Sequence, residues 1–294
     1  MIFPPLLNKG DTIAIFAPSS QIDTTLQKQY IKGIKLIKSL GYDVLDTKLL
    51  NTPEEKAKQI HSLVNDSEIK ALVALQGGDS CETVLPYLNF ELIKKNPKIF
   101  MGFSDISVLL NAIAYKSGLI TYLGPDLLWK FGKNFSSYDK ERFIETLENG
   151  NNSIPGLDKW KLVKGNADSF CGQLWGGNLR CFMKLLNTPY LPRLKDGLLM
   201  IEDLKKDLNW MSSSLDKLER TGILSKLKGI IIGYNYKCSF NDSELFDLLI
   251  EKTKTYDLGI VKINDFGHNS VHAIFPIGAT IKIDTKKTKI VFQK

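Results

Sequence analysis

The stretch that decides the fold is KIFMGFSDISVLLNAIAYK, residues 98 to 116. Residues 98 to 101 predict a short buried strand, and an apolar helix is predicted over roughly 105 to 116. The residues between them, Gly102-Phe103-Ser104-Asp105, predict a sharp turn. A strand that passes through a tight turn into a helix is the unit from which α/β sheets are built.

Other strand and helix signals surround this stretch in the first half of the chain. Apolar residues at helical spacing predict a helix over 24 to 40, which Gly41 ends. Thr52-Pro53-Glu54-Glu55 is a capping box that starts another helix. Further strands are predicted at residues 12 to 16, 72 to 75 and 120 to 123. This alternation favours a parallel sheet with helices on both faces.

The pattern changes near residue 148, where a polar segment rich in turn formers begins. We therefore predict an α/β domain over 1–148, a linker over 149–165 and a smaller, β-rich α+β domain over 166–294. Strands of the second half are predicted at 198 to 201, 229 to 233 and 259 to 263, with a terminal hairpin of 279 to 283 and 288 to 292. Its helices are predicted near 178 to 186, 210 to 220 and 242 to 254.

Composition limits the class of protein. The 294 residues are 43% hydrophobic and 24% charged, as in ordinary globular chains. The net charge of +7 is scattered along the chain, which argues against nucleic-acid binding, and no apolar run approaches the roughly 18 residues of a membrane-spanning helix. We expect no signal peptide, because the start MIFPPLLNKGD has no basic segment ahead of a long apolar stretch. We expect no metal site, because the four cysteines form no CxxC pair and only three histidines are present. Thiols without a pattern also suit a reducing cytoplasmic environment.

Ser104 is the leading candidate for a nucleophile, since the common GxSxG, HExxH and phosphate-loop motifs are absent from the sequence. A sharp turn would expose its hydroxyl, and the N–H of Asp105 would face a developing oxyanion. The alternative is that Ser104 only caps the following helix. Ser80, in the loop QGGDS at 76 to 80, is a rival nucleophile, although its glycine pair favours this loop as an oxyanion contributor.

A serine nucleophile needs a general base, and the base needs an orienting carboxylate. His61 falls inside a predicted helix, whereas His268 and His272 lie in a glycine-flanked loop, and we favour His268. Glu202 directly follows a predicted buried strand and is the candidate carboxylate. Asp203 is its rival, and both acids also suit the N-terminus of a helix.

Seven blocks of the sequence, in this order, resemble the muropeptide LD-carboxypeptidase family of serine peptidases. The match extends nearly from end to end, and its most distinctive internal block pairs GGNL with NTPY. The blocks lie at 7–14 with 17–20, 76–78 with 85–88, 102–107, 124–125, 176–179 with 187–190, 201–203, and 267–268 with 276–278.

The resemblance implies a triad in which Ser104 is the nucleophile, His268 the general base and Glu202 its orienting acid. It also implies an oxyanion hole made by the backbone amides of Gly78 and Asp105. The site would lie in the cleft between the α/β domain and the smaller C-terminal domain of a homodimer. The implied reaction releases terminal D-alanine from murein tetrapeptides without a metal or another cofactor.

Two loops depart from the family pattern. Many members have an arginine before the glycine pair and Tyr-Gly after it, where this chain has Gln76 and Asp79-Ser80. After the Glu-Asp pair, the segment KKDLNWMSS at 205 to 213 replaces the family's Pro-aromatic and Glu-Arg steps. Because both loops are expected to border the substrate, they leave its identity open.

Three functions therefore remain under consideration. The first is murein tetrapeptide hydrolysis, and the second is cleavage of peptidyl or acyl adenylates, as in the microcin immunity-type hydrolases of the same superfamily. The third is a non-catalytic muropeptide-binding protein. Gly77, Asp79 and Trp175 are the candidates for substrate contact, and an anchor at the domain interface is the alternative role for Trp175.

Overall fold

The computed structural model describes residues 1–21, 23–156, 160–165 and 169–293. Strands and helices alternate through the first half, as predicted. The strands are β1 (Thr12–Phe16), β2 (Asp43–Asp46), β3 (Ile69–Ala74), β4 (Ile99–Gly102) and β5 (Thr121–Leu123). The helices are α1 (Gln27–Ser39), α2 (Pro53–Asn65), α3 (Phe90–Lys95), α4 (Ile106–Ser117) and α5 (Ser137–Leu147). Short 3₁₀ or π turns lie at Thr24–Leu26, Cys81–Tyr87 and Leu127–Phe131.

The start of α2 follows from local sequence. The Thr52 side chain accepts a hydrogen bond from the N–H of Glu55, and the Glu55 carboxylate accepts one from the N–H of Thr52 at 3.1 Å. Pro53 occupies the first helical position, where a missing N–H has no cost. The predicted capping box is confirmed.

The second half of the chain is richer in strands. They are β6 (Ser153–Pro155), β7 (Lys161–Lys164), β8 (Ser169–Asn178), β9 (Gly197–Glu202), β10 (Leu227–Tyr234), β11 (Gly259–Gly267), β12 (Phe275–Ile277), β13 (Thr280–Asp284) and β14 (Lys289–Phe292). The helices are α6 (Leu179–Phe182), α7 (Leu208–Arg220) and α8 (Asp242–Thr253), with 3₁₀ turns at Met183–Leu185 and Leu224–Lys226. None of the helices in the described part of the chain is long and apolar enough to span a bilayer.

The predicted strands and terminal hairpin of this half are confirmed, but the segment 149–165 differs from the linker that we predicted. It contains the short strands β6 and β7, each of which pairs with a strand of the second half. Residues 157–159 of this segment, and residues 166–168 at the predicted start of the second domain, lie outside the described residues.

Within the described residues, the first sheet has the order β2-β1-β3-β4-β5-β12. Strands β1 to β5 are parallel, which confirms the predicted parallel sheet. Strand β12 runs antiparallel to β5, with Phe275 opposite Leu123. The loop that leads into β12 therefore lies at the carboxyl edge of the parallel strands. This pairing also means that the sheet crosses the predicted boundary at residue 148.

The second sheet is mixed, and among the described residues its order is β6-β14-β13-β8-β9-β10-β11-β7. The central strands β8 to β11 are parallel, and the flanking strands are antiparallel. The carboxyl ends of β9 and β11, at Glu202 and Gly267, therefore share one edge. This architecture confirms the predicted combination of an α/β unit with a β-rich α+β unit.

Helix α4 connects the two sheets. The Asn111 side chain donates to the carbonyl of Gly176 at 2.8 Å and accepts from its N–H at 2.9 Å. One turn earlier, the Ser107 hydroxyl accepts from the N–H of Asn178 at 3.2 Å. Because α4 begins just after Ser104, these bonds align the carboxyl end of β8 with the turn that carries the predicted nucleophile.

Candidate active site

Ser104 lies in the turn between β4 and α4 with φ of +60°. This left-handed conformation costs a residue with a Cβ about 1–2 kcal/mol. The turn is tight, because a Cβ at Gly102 would lie 2.8 Å from the Cβ of Ala74. In the described structure no side chain caps α4, so Ser104 does not have the capping role considered as an alternative.

Ser104, His268 and Glu202 form one hydrogen-bonded chain. Nε2 of His268 lies 3.0 Å from Oγ of Ser104, and Nδ1 lies 2.8 Å from Oε2 of Glu202. The Glu202 carboxylate is fully buried, and its other oxygen accepts from the Asn178 amide at 2.9 Å. In this geometry the imidazole can accept the serine proton while the carboxylate stabilises the resulting charge.

The carboxyl groups around His268 change its titration. Burial opposes protonation of the imidazole, but Glu202 outweighs it, with help from Asp203 and Asp126, and the pKa of His268 is raised above its ordinary value. Burial raises the pKa of Asp126 to about 6 and that of Asp203 to about 6. Asp203, the rival orienting acid, accepts from the backbone N–H of Arg180 at 3.2 Å. The structure thus brings Glu202, rather than Asp203, to the imidazole.

Buried polar contacts hold the loop that carries His268. Lys130 Nζ donates to the Ser270 carbonyl at 2.9 Å and pairs with Asp139 at 3.2 Å. Asp139 also accepts from the N–H of His272 at 2.5 Å, and Nε2 of His272 lies 3.0 Å from the Gly267 carbonyl. Burial, together with the charge of Lys130, lowers the pKa of His272 to about 3. This histidine is therefore neutral and engaged in holding the loop.

The ring of Phe103 lies between the two loop histidines, with centroids 4.8 Å from His268 and 4.4 Å from His272. His61, on α2, accepts from the N–H of Asn89 at 2.8 Å. Among the described residues, only the imidazole of His268 is hydrogen-bonded to a serine hydroxyl.

The glycine loop after β3 packs against the nucleophile turn. A Cβ at Gly77 would lie 2.8 Å from the Cβ of Ser104, and a Cβ at Gly78 would overlap the Ser20 hydroxyl. In the described part of the chain, the N–H groups of Gly78 and Asp105 donate to no protein acceptor. Neither amide is therefore engaged by a protein acceptor among the described residues, as the predicted oxyanion role requires.

Ser80 and Asp79 have other partners. The backbone N–H of Ser80 donates to Oδ2 of Asp105 at 2.9 Å, so this residue anchors the loop. The Asp79 carboxylate pairs with Arg180 and, at 2.8 Å, with Lys184. These two partners come from the second half of the chain, so Asp79 joins the two halves at the rim of the site.

The structure buries the predicted tryptophan and exposes a different one beside the glycine loop. Trp175 is 2% exposed and packs edge-on against Tyr115, with centroids 6.5 Å apart, which removes it from the substrate-binding candidates and matches its alternative role as an interface anchor. Trp129 is 44% exposed, and its indole N–H donates to Gln76 beside the glycine loop at 3.2 Å. Sequence reasoning missed Trp129, although the segment GPDLLW at 124–129 directly follows a predicted strand.

Two family models match this chain. The model of the LD-carboxypeptidase N-terminal domain matches residues 13–124, and that of the LD-carboxypeptidase C-terminal domain matches residues 171–283. These matches define the protein as a peptidase. The chain belongs to the LD-carboxypeptidase family.

Individual relatives cover almost the whole chain. A probable murein peptide carboxypeptidase of Bacillus subtilis is 31% identical over 98% of this chain and 93% of its own length. The microcin C7 self-immunity protein MccF of Escherichia coli is 26% identical over 94% of this chain and 91% of its own. The solved structure of a muramoyltetrapeptide carboxypeptidase from Oxalobacter formigenes superimposes with a TM-score of 0.82 at 26% identity, covering 96% of this chain and 97% of that one.

Proposed function

We propose that this protein is a serine-type LD-carboxypeptidase that releases terminal D-alanine from murein tetrapeptides. The observation that supports the proposal most strongly is the chain of contacts from Ser104 Oγ to His268 at 3.0 Å and from His268 to Glu202 at 2.8 Å. A protein that only binds muropeptides, the third function considered, has no need of this chain of contacts.

The first half of the proposed reaction acylates Ser104. Its oxygen attacks the scissile carbonyl carbon while Nε2 of His268 takes the hydroxyl proton. Glu202 holds the Nδ1–H tautomer and stabilises the imidazolium that forms. The negative charge that develops on the carbonyl oxygen is stabilised by the N–H groups of Asp105 and Gly78.

The tetrahedral intermediate then collapses. The C–N bond breaks, the imidazolium of His268 gives its proton to the leaving amine of D-alanine, and an ester to Ser104 remains. Water repeats the sequence: His268 takes its proton, the hydroxide oxygen attacks the ester, and the proton returns to Ser104 as the shortened peptide leaves.

Carboxypeptidase specificity requires that the site recognise the free carboxylate of the substrate. Burying even a neutral polar group without partners costs roughly 2–7 kcal/mol, and burying a charged carboxylate costs more. Gly77 and Asp79 stay candidates for contacts near the scissile bond. The relatives in Bacillus subtilis and Oxalobacter formigenes, whose names refer to murein peptides or a muramoyltetrapeptide, support a murein peptide as substrate.

The test compares D-alanine release from three peptides. The murein tetrapeptide should be cleaved, whereas the pentapeptide, which ends in a D–D bond, should be left largely intact. The tetrapeptide amidated at its C-terminus should also be rejected, because amidation removes the charge and puts donors where the site supplies donors. Equal cleavage of the amidated peptide would contradict carboxypeptidase specificity.

The second candidate is hydrolysis of a peptidyl or acyl adenylate by the same residues. It is favoured by the match over 94% of this chain to the microcin C7 self-immunity protein. Cleavage of a peptidyl adenylate by a protein that leaves the tetrapeptide intact would establish this function instead. We further propose that the protein is cytoplasmic, since free thiols such as the exposed Cys171 persist where the environment is reducing. The homodimer that we also propose rests on the family resemblance alone.

A further inference from the structure

The side chain of Asp105 lies behind the nucleophile turn and is fully buried. Its Oδ2 accepts from the Ser19 hydroxyl at 2.6 Å and from the N–H groups of Ser80 and Cys81 at 2.9 Å each. Burial favours the neutral acid, but Ser19, Lys184 and Cys81 outweigh it and hold the pKa of the carboxyl below its usual value. Asp105 therefore carries a buried negative charge, and the proposed reaction uses only its backbone N–H.

The second half of the chain supplies the countercharge. Lys184, in the 3₁₀ turn Met183–Leu185, lies 2.9 Å from Oδ1 of Asp105 and 2.8 Å from the carboxylates of both Asp79 and Glu82. These two acids stand on either side of the two amides that Asp105 binds. One ammonium group from the second half of the chain thus contacts both the glycine loop and the nucleophile turn.

We infer that the Asp105 carboxylate and Lys184 are positioning residues that hold the glycine loop in register with Ser104 for oxyanion stabilisation. The near end of the loop, at Gly77, abuts Ser104, and Asp105 binds its far end. A loop with two glycines has little conformational preference of its own, so these outside contacts select its position. Displacing its donors weakens binding of the transition state more than binding of the ground state. The inference rests on the proposed serine mechanism.

An alkyl fluorophosphonate tests this positioning without any assumption about the natural substrate. Ser104 Oγ bonds to phosphorus, fluoride leaves, the hydroxyl proton passes to His268, and the phosphonyl oxygen takes the place of the oxyanion. We expect Asp105→Asn to label about 10²-fold more slowly than the wild type, as when an oxyanion donor is lost. Lys184→Met should label about tenfold more slowly, the smaller effect of a shifted loop.

Lys252→Met is the matched control, because Lys252 pairs with Asp216 between α7 and α8. It should label at the wild-type rate. With the tetrapeptide, Asp105→Asn should lower kcat and leave KM within about twofold, because the lost interaction belongs to the transition state. The acid limb of its pH profile should keep the wild-type midpoint, since the contact between His268 and Glu202 is untouched. A merely structural role would instead change KM and kcat together.

Equal labelling rates for the wild type and Asp105→Asn would overturn this inference alone. A wild type that is not labelled, or a Ser104→Ala protein labelled as fast as the wild type, would overturn the serine mechanism and this inference with it. If the wild type is labelled at Ser104 but releases no D-alanine, only the proposed substrate is wrong. The labelling rates of the variants would still test the positioning role of Asp105 and Lys184. If Asp105→Asn does not fold, the labelling rate of Lys184→Met is compared with that of Lys252→Met. Equal rates for these two variants would overturn the inference.

Discussion

The nucleophile turn and the loop of the general base reach the same site by different physical means. Ser104 is placed by its own strand, turn and helix, and Gly102 packs closely against Ile106, four residues further along the chain. His268 is placed by side chains far away in sequence, because Lys130 and Asp139 bind a loop more than 130 residues further along the chain. The turn can therefore be predicted from neighbouring residues, whereas the position of the His268 loop depends on the assembled fold.

The largest expected effect is at the turn. Ser104→Ala should lower kcat by roughly 10⁴- to 10⁶-fold, the usual loss when a triad nucleophile is removed. The fold should survive, because a hydroxyl in a turn is a small structural loss, and thermal melting would check this. Ser80→Ala is the control and should keep most activity. Activity that survives in Ser104→Ala but not in Ser80→Ala would move the nucleophile to the glycine loop.

The next effect tests the acid that supports the base. Glu202→Ala should lower kcat by roughly 10³- to 10⁴-fold, because the imidazole loses its orienting carboxylate. Asp203→Ala should cost less than about tenfold in kcat, since Asp203 binds backbone amides instead. Steady-state kinetics of the two variants on the tetrapeptide make the comparison. A larger loss for Asp203→Ala would reverse the assignment.

A smaller effect should follow from loosening the His268 loop. Lys130→Met removes one partner of a buried ion pair and should lower the free energy of unfolding by about 3 kcal/mol. The kcat of the folded fraction should fall about tenfold, because the base is no longer held at its distance from Ser104. Urea unfolding and kinetics would measure both effects. If Lys130→Met keeps wild-type kcat, the loop is held by other contacts.

The smallest effect concerns pH. The proposed base works as neutral imidazole, and its pKa is raised above the ordinary value of about 6.5, so activity should rise with pH through a midpoint above about 6.5. Asp126→Asn should lower this midpoint slightly, because the weakest of the negative charges that raise the pKa of His268 is lost. Profiles of kcat/KM between about pH 5 and 9 would show both. A flat profile would exclude His268 as the base.

The regular part of the fold could be predicted because its signals are local. The strand before Ser104, the capping box at Thr52 and the terminal hairpin each depend on a few neighbouring residues. The pairing of β12 with β5 could not be predicted, because these strands are about 150 residues apart and the sequence of neither strand indicates its partner. The two strands in the predicted linker were missed for the same reason, since each is short and pairs with a distant strand.

The sequence by itself determined the α/β class, the family resemblance and the turn that holds Ser104, because strand periodicity, helix signals and turn chemistry act over a few residues. Only the tertiary structure decided which histidine meets the serine, which acid meets that histidine, and that Trp175 is buried while Trp129 is exposed. Burial and hydrogen-bond partners are set by segments distant in the chain that converge only when both sheets have formed. Neighbouring residues of the same type, such as His268 and His272, are therefore told apart by the fold rather than by their local sequence.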